Sequence, residues 1–318
     1  MSIAVILNPR SRANRLDPAL AARMTALLGT EGRVLAVPGL PELDAMTAEL
    51  ALDPPAAIAI HGGDGTVHKT LSSLVQSFKE RPLPPVAILP AGTMNVVGSS
   101  LSLLGPPEQI LGTLLTSLRG ATASRPLPTV TRHCLKVDEA YGFVFGCGLI
   151  ANFLEEYYSK DEYGTKRALW ILARMFFSGI VDGPYSQRIV RRFAGKVMVD
   201  GRPLPWQSLT GVGAATVREV GLGFKLNHRA DEDPDRFSFL AIHAGAVSLG
   251  LDLWGVHRGT GVAPHRAFSG LGQTMRIEPE GGACVYTVDG DLYKSKGAIE
   301  VSLGPSIRFF AWKGASAV

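Results

Sequence analysis

The chain is short of several things, and each shortage narrows what it can be. Its 318 residues include only three cysteines, Cys134, Cys147 and Cys284, odd in number and far apart. No CxxC pair and no Cys/His ligand spacing occurs, so neither a disulfide framework nor a zinc site is expected, and a reducing cytoplasm fits. No run of 18 apolar residues occurs, so no membrane-spanning helix is expected. The opening "MSIAVILNPRS" has no basic segment ahead of its short apolar stretch and reads as a first strand rather than a signal peptide. Charged residues make up only 19%, with a net charge of +4. That excess is too weak to imply nucleic acid, which is not expected as a partner; a nucleotide or an anionic membrane surface suits it equally. Internal repeats and low-complexity segments are also lacking.

What is present is 46% hydrophobic residues, 36 glycines and 21 prolines, which favours many short elements joined by tight turns. The length suggests about two domains. Residues 1–120 alternate between β-type runs (Ile3–Leu7, Arg33–Val37, Ala56–Ile60, Val86–Leu89) and helical stretches near 17–29, 41–52, 66–79, 93–103 and 107–119. Runs apolar on both faces argue for a parallel α/β sheet. From 130 onward short β-type runs dominate, separated by turns such as "VDGRP" and "EPEGGA", as in an antiparallel sandwich. They are Cys134–Val137, Tyr141–Phe145, Lys196–Val199, Phe237–Ala244, Thr274–Ile277, Cys284–Val288, Ala298–Leu303 and Ile307–Ala311; the stretch Phe153–Val181 reads as helical. The expected domains are 1–122, α/β, and 123–318, a β-sandwich whose last strand is free to return to the first domain.

Three polar segments follow the strands of the first part: "NPRSRAN", "HGGDGT" and "PAGTMN". Ligands of parallel sheets bind at the carboxyl ends of the strands, so the three should meet on one edge. Gly62 and Gly63 let backbone N–H groups approach a phosphate, and Thr66 can cap the following helix or bind a phosphate oxygen. Asp64 has two readings. It bonds its own backbone, as Asp often does in glycine-rich turns, or it serves as a base or a metal-side carboxylate beside phosphates. The segment is neither a P-loop nor a GxGxxG dinucleotide fingerprint. His61 reads as a loop partner or a satisfied core histidine, Lys69 as a phosphate contact or a solvated lysine.

"GGDGT" with upstream "NPRS", downstream "PAGTMN" and the late "VDGDLY" (288–293) resembles the diacylglycerol kinase-like lipid kinases, which include sphingosine and ceramide kinases. "GGDGT" alone is shared with NAD kinases and 6-phosphofructokinases; the four motifs in order are more specific. The resemblance covers nearly the whole chain. It implies an N-terminal nucleotide domain, a C-terminal β-sandwich, and ATP and Mg²⁺ as cofactors. It implies that Asn8 and Ser11 lie in the first nucleotide-side loop, and that Gly62, Gly63, Gly65 and Thr66 surround the phosphates. Asp64 becomes the base or metal-side carboxylate. Gly92, Thr93 and Asn95 form a second phosphate loop, and Asp289, Gly290 and Asp291 bring a carboxylate from the second domain, with an ordinary hairpin turn as the plain alternative. Asp235, in "DPDRFSF", falls where the family has a metal-site turn.

The chain departs from the pattern at Arg12 (Gly in the family), His68 and Lys69 (Asn-Glu), Val96 (Asp), Ile150 in "GCGLIA" (Asp) and "RPLPTV", where bacterial diacylglycerol kinases carry an Asp. These lost acids tilt the expected acceptor from diacylglycerol towards a sphingoid base or ceramide. The alternatives are a NAD-kinase-like or sugar kinase, and a non-catalytic nucleotide-dependent lipid sensor.

A lipid kinase must reach a hydroxyl at a bilayer. Residues 157–202 hold nine Lys/Arg against four Asp/Glu. "KRALWILARMFFSGIV" sets Leu169, Trp170, Leu172, Met175, Phe176 and Phe177 among Lys166, Arg167 and Arg174, which reads as a membrane contact or as a core helix with snorkelling arginines. Tyr157 and Tyr158 are candidates for the lipid pocket or for packing. The expected setting is cytoplasmic, peripheral at the inner face of the membrane, and a homodimer is compatible with it.

Overall fold

A computed structural model of the protein describes residues 2–79, 81–92, 95–101, 105–160, 164–220 and 224–312. The chain forms two compact units, one of residues 1–132 with 305–318, the other of 133–304.

The first unit contains β1 (Ile3–Leu7), α1 (Arg12–Leu16), α2 (Leu20–Leu28), β2 (Gly32–Ala36), α3 (Leu40–Leu52), β3 (Ala57–Gly62), α4 (Asp64–Phe78), β4 (Val86–Pro90), α5 (Val96–Ser100) and α6 (Pro107–Arg119). The strands run parallel in the order β2-β1-β3-β4. Every residue of β1 and β3 is buried, as a sheet covered on both faces requires. Ile3, Val5 and Leu7 of β1 join Met24, Ile110, Leu111 and Leu114 in one core. α3 packs on α4, and α4 on β3. α4 has the spacing for this, with Val67, Leu71, Leu74, Val75 and Phe78 buried along one stripe. The order reverses between β1 and β3, and ligand crevices of open α/β sheets form at such a switch point.

The second unit is antiparallel. After β5 (Thr129–Val137), which crosses the unit boundary, come β6 (Ala140–Gly142), β7 (Val144–Gly148), α7 (Leu149–Tyr158), α8 (Thr165–Ile180) and α9 (Pro184–Ile189). They are followed by β8 (Phe193–Val199), β9 (Arg202–Pro203), β10 (Ser208–Leu209), β11 (Gly211–Ala215), β12 (Phe237–Ile242), α10 (Ala246–Arg258) and β13 (Ala267–Gly272). β14 (Thr274–Pro279), β15 (Val285–Val288), β16 (Asp291–Lys294) and β17 (Ile299–Phe310) complete the chain. One sheet runs β13-β12-β11-β7-β15-β16. In the other, β8 and β17 flank β14. Phe145, Cys147, Val212 and Phe239 of the first meet Val197, Met275, Ile277 and Val301 of the second in a shared core. The far end of β17 belongs to the first unit, where Phe309 pairs parallel with Val86 of β4.

Several elements differ from the sequence reading. The single helical stretch at 153–181 is divided between two helices, α7 and α8, and Gly164 at φ 124° breaks the path ahead of α8. Tyr141–Phe145 is divided between β6 and β7, while the last two runs merge into β17. Helix 93–103 is reduced to α5, with residues 93, 94 and 102–103 outside the described set. β11, α10 and β13 escape a pattern search because glycine thins their apolar signal. That glycine makes room. A Cβ on Gly270 would lie 2.8 Å from the Phe239 ring, and one on Gly250 2.0 Å from Phe176. Phe176 is therefore half-buried in the contact between α8 and α10, and Met175 is buried. Arg167 is buried too and donates to the Glu156 carbonyl at 3.0 Å.

Candidate active site

β1, β3 and β4 are parallel neighbours, so the loops after them leave the sheet on one edge. They touch there. After β1, Asn8 turns the chain on itself: its Oδ1 accepts the Arg10 N–H at 2.9 Å, and its carbonyl accepts the Ser11 N–H at 3.1 Å and Asn14 Nδ2 at 2.6 Å. Asn8 Nδ2 points to Thr66 Oγ1 at 3.4 Å, in the first turn of α4. Ser11 Oγ accepts the Asn14 N–H at 3.3 Å.

The glycines are there because backbones meet. A Cβ on Gly92 would fall 2.8 Å from Gly63 Cα, and one on Gly62 would fall 2.4 Å from Thr66 Cβ. The Ala91 N–H donates to the Gly62 carbonyl at 3.0 Å and fastens the second and third loops together. Asn95 sits in the left-handed region at φ 47°, which asparagine tolerates better than most residues. Its side chain closes the third loop on Gly92, Nδ2 donating to the Gly92 carbonyl at 2.9 Å and Oδ1 accepting the Gly92 N–H at 3.1 Å.

Asp64 opens α4, where a carboxylate complements the helix dipole. Its Oδ2 accepts the Asn95 N–H at 3.0 Å and its Oδ1 the Val96 N–H at 2.6 Å. These bonds lock the carboxylate plane and draw the third loop onto the helix start. They take one lone pair of each oxygen out of the roughly four a carboxylate offers. Val96 thus contributes its backbone at a place where the sequence comparison looked for a carboxylate. The Thr66 and Val67 N–H groups donate to the Gly63 carbonyl at 2.9 and 3.0 Å, and the dipole at this helix end favours an anion.

His61, just before the glycines, is buried. Its Nδ1 faces the Leu89 carbonyl at 3.1 Å and its Nε2 faces Asn14 Oδ1 at 3.0 Å. Burial holds its pKa below the usual imidazole value, against the raising effect of the Leu89 carbonyl. Asn14, not singled out from the sequence, links His61 to Asn8; its place three residues after Ser11 is the signal that could have found it. Lys69 is exposed and His68 buried in α4. Thr93 and the Arg12 side chain lie outside the described residues.

The second unit holds the remaining candidates. Asp289 and Gly290, at φ 49° and 93°, form the two-residue turn between β15 and β16, so the hairpin reading of "DG" describes the backbone. Asp289 Oδ1 accepts the N–H groups of Phe143 and Val144, both at 2.8 Å. Tyr158 Oη donates to the Gly290 carbonyl at 3.1 Å. The Tyr293 phenol on the same hairpin is pushed up to about 12, by burial first and then by the charges of Asp291 and Asp289. Tyr157 is buried, with its hydroxyl accepting the Gly164 N–H at 2.6 Å, so it braces the link from α7 to α8. Asp235 is largely exposed on a turn, its Oδ1 3.8 Å from His133 Nε2. Among the described residues no group of three or more His, Cys, Asp or Glu side chains is gathered as for a metal ion. Ile150 fills space left by glycine: its side chain stands where a Cβ on Gly146 would be, 2.5 Å away, and 3.1 Å from one on Gly213.

Residues 2–123 match the family model of the diacylglycerol kinase catalytic domain. That stretch contains all three loops just described. The first 123 residues thus carry a domain similar to the diacylglycerol kinase catalytic domain. The family's kind is that of a lipid kinase. The fold agrees over the whole length. A diacylglycerol kinase from Bacillus anthracis str. Sterne superposes with a TM-score of 0.67 at 14% identity, covering 99% of this chain and 98% of the other. A second structure from that organism gives 0.72 at 16% identity, with 99% and 96% covered. No curated protein matches in sequence.

Proposed function

We propose that the protein transfers the γ-phosphate of ATP to a lipid hydroxyl. The observation that carries this reading is the convergence of three loops at one sheet edge, with backbone at Gly63 and Gly92 close enough to exclude side chains. Such a cradle offers N–H groups to phosphate oxygens and offsets charge that develops during transfer. Asn8, Ser11, Gly62, Gly63, Gly65, Thr66, Gly92, Thr93 and Asn95 are the proposed nucleotide-side residues. From the second unit, Asp289, Gly290 and Asp291 are the proposed nucleotide-side residues, with Asp289 Oδ1 also holding the N–H groups of Phe143 and Val144.

Asp64 is the proposed base. Its plane is fixed by two N–H groups at the junction of the loops, which orients the carboxylate for taking the proton of the attacking hydroxyl. Magnesium in phosphoryl transfer is held by one or two carboxylates together with substrate phosphates, so a cluster of protein ligands is not required. Asp64 fits that role. When bound, the ion neutralises charge on the β- and γ-phosphates. Asp235 is a weaker candidate, being largely exposed and paired with His133.

The acceptor is proposed to be ceramide, a sphingoid base or diacylglycerol, presented at the inner membrane face, with Tyr158 near it. The loss of acidic side chains at Val96 and Ile150 favours the sphingolipid side. Radiolabelled ATP and magnesium with mixed micelles of each lipid form the direct test. Label in one lipid class names the acceptor; label in none removes the reading.

A further inference from the structure

A helix on the surface of a water-soluble protein normally turns polar side chains outward. α8 does the reverse. Ala168, Ile171 and Met175 form its buried stripe. On the opposite side Leu169, Trp170, Phe177 and Ile180 are exposed, and Val181 follows directly at 77% exposure. With Lys166 and Arg174, these residues fall within about 140° of arc at 100° per residue. The neighbouring α10 adds Leu251, 64% exposed. The two helices meet through Gly250 under Phe176 and Gly179 against Ala246, so the apolar surface is carried by a packed pair.

The charged side chains of the helix itself have one sign. α8 holds no Asp or Glu. The Arg174 guanidinium lies 5.0 Å over the Trp170 ring and 4.1 Å over Tyr185, with Arg188 on Tyr185 at 5.5 Å. This stack fixes cations beside the apolar side chains. The nearest carboxylate of that group, Glu156, is already engaged by Arg167, Arg188 and Tyr185. Asp182, just past the helix, is an exposed acid on the rim.

We propose that the outer face of α8, extended by Leu251, docks in the plane of an anionic lipid bilayer. A helix of 16 residues is about 24 Å long, short of the roughly 30 Å hydrocarbon core. Among the described residues no helix is long and apolar enough to cross a membrane, so the contact is one of lying on the surface. A second copy of the chain is a poorer occupant. A twofold contact through this face would set Arg174 and Arg188 against the same cations of the partner. The inference rests on the proposed lipid acceptor only for its purpose; the docking itself needs no catalysis.

The test is co-sedimentation of the full chain, without ATP, on vesicles of phosphatidylcholine with and without phosphatidylglycerol. Binding is expected to require phosphatidylglycerol and to weaken as salt rises. Phe177→Ser with Ile180→Ser should lower the partition constant by about tenfold or more. Arg174→Gln should lower it by about fivefold. Leu52→Ser, an exposed leucine of the first unit, should change nothing. Unchanged binding in the Phe177/Ile180 pair overturns the proposal. So does a wild type that ignores vesicles and sediments as a dimer which the same pair dissociates. A wild type that binds vesicles but transfers no phosphate leaves this surface standing and removes only the kinase reading.

Discussion

Two aspartates in this molecule make the same bonds in different surroundings. Asp64 accepts the N–H groups of Asn95 and Val96, and Asp289 accepts those of Phe143 and Val144. In the second unit this is a repeated device. Asp200, in the turn between β8 and β9, has the same left-handed backbone, is followed by a positive-φ glycine, and accepts the N–H groups of Gln273 and Thr274 at 2.9 Å. Asp64 has no such twin among these turns. It stands at the start of a 15-residue helix, between loops whose glycines touch. The comparison teaches that a bonding pattern does not assign a role. What distinguishes a cradle from a brace is the space around it, and each of the following experiments bears on that distinction.

The largest effect belongs to Asp64. Asp64→Asn is expected to lower kcat for phosphate transfer by about 10²–10⁴-fold, the usual contribution of a general base. The variant keeps one acceptor oxygen but turns an NH₂ towards one of the two N–H groups, so ATP affinity has to be measured beside the rate. A rate loss with affinity held within about threefold assigns Asp64 to proton transfer. Rate and affinity falling together would make it a brace like Asp200.

Gly92→Ala tests the cradle itself. The new Cβ would lie 2.8 Å from a backbone atom, Gly63 Cα, which cannot swing aside. The expected cost is about 1–3 kcal/mol of stability, with about a tenfold loss in ATP affinity as the loops part. Gly281→Ala, with no atom within 4 Å of its Cβ, should match wild type in urea unfolding and in calorimetric ATP titration.

Asp289→Ala should cost about 1–3 kcal/mol, because it strands N–H groups at Phe143 and Val144, both buried. Asp200→Ala should cost less, under about 1 kcal/mol, since Gln273 and Thr274 are exposed and water replaces the carboxylate. Burial alone would raise the Asp200 pKa, but the Thr274 and Gln273 N–H bonds outweigh it and leave it below 3.8. Its stabilisation is therefore present above that value and lost as pH falls through the lower folded one. An unchanged KM for ATP in Asp289→Ala places this residue with Asp200; a raised KM returns it to the nucleotide.

The legibility of the sequence divides along the same line. The parallel unit was readable because strands buried on both faces are continuous apolar runs, and because loops after parallel strands must share an edge. β11 and β13 were not, since Gly213 and Gly270 answer to Ile150 and Phe239, residues far away in the chain. The membrane-side stretch was half readable: composition marked 166–181, but only the fold separates exposed Phe177 from Phe176 packed on Gly250. Asp64 was picked out as the chemical residue of its turn, yet its partners lie 31 and 32 positions on, at Asn95 and Val96. The network through Asn14 was missed, because a lone asparagine announces nothing until a buried histidine faces it.

That histidine gives the smallest effect. The Leu89 carbonyl can only accept, so His61 Nδ1 donates, and a neutral ring then turns its Nε2 lone pair towards Asn14 Oδ1. Rotating the Asn14 amide would cure this but would set an oxygen against the Asn8 carbonyl, now 2.6 Å from Nδ2. Protonation would cure it as well, and burial opposes that. Burial wins, holding the folded pKa below 6.5. The unfolded chain therefore takes up a proton near 6.5 while the folded chain does not. Stability is at its full value above that pH and is lost as pH falls from there to the folded pKa, by at most about 1.4 kcal/mol per unit. Urea midpoints between pH 5 and 8 should show this slope in wild type and a flatter one in His61→Gln. Equal slopes would mean that another group titrates, and that the loop cradle of the first unit is indifferent to the ring beneath it.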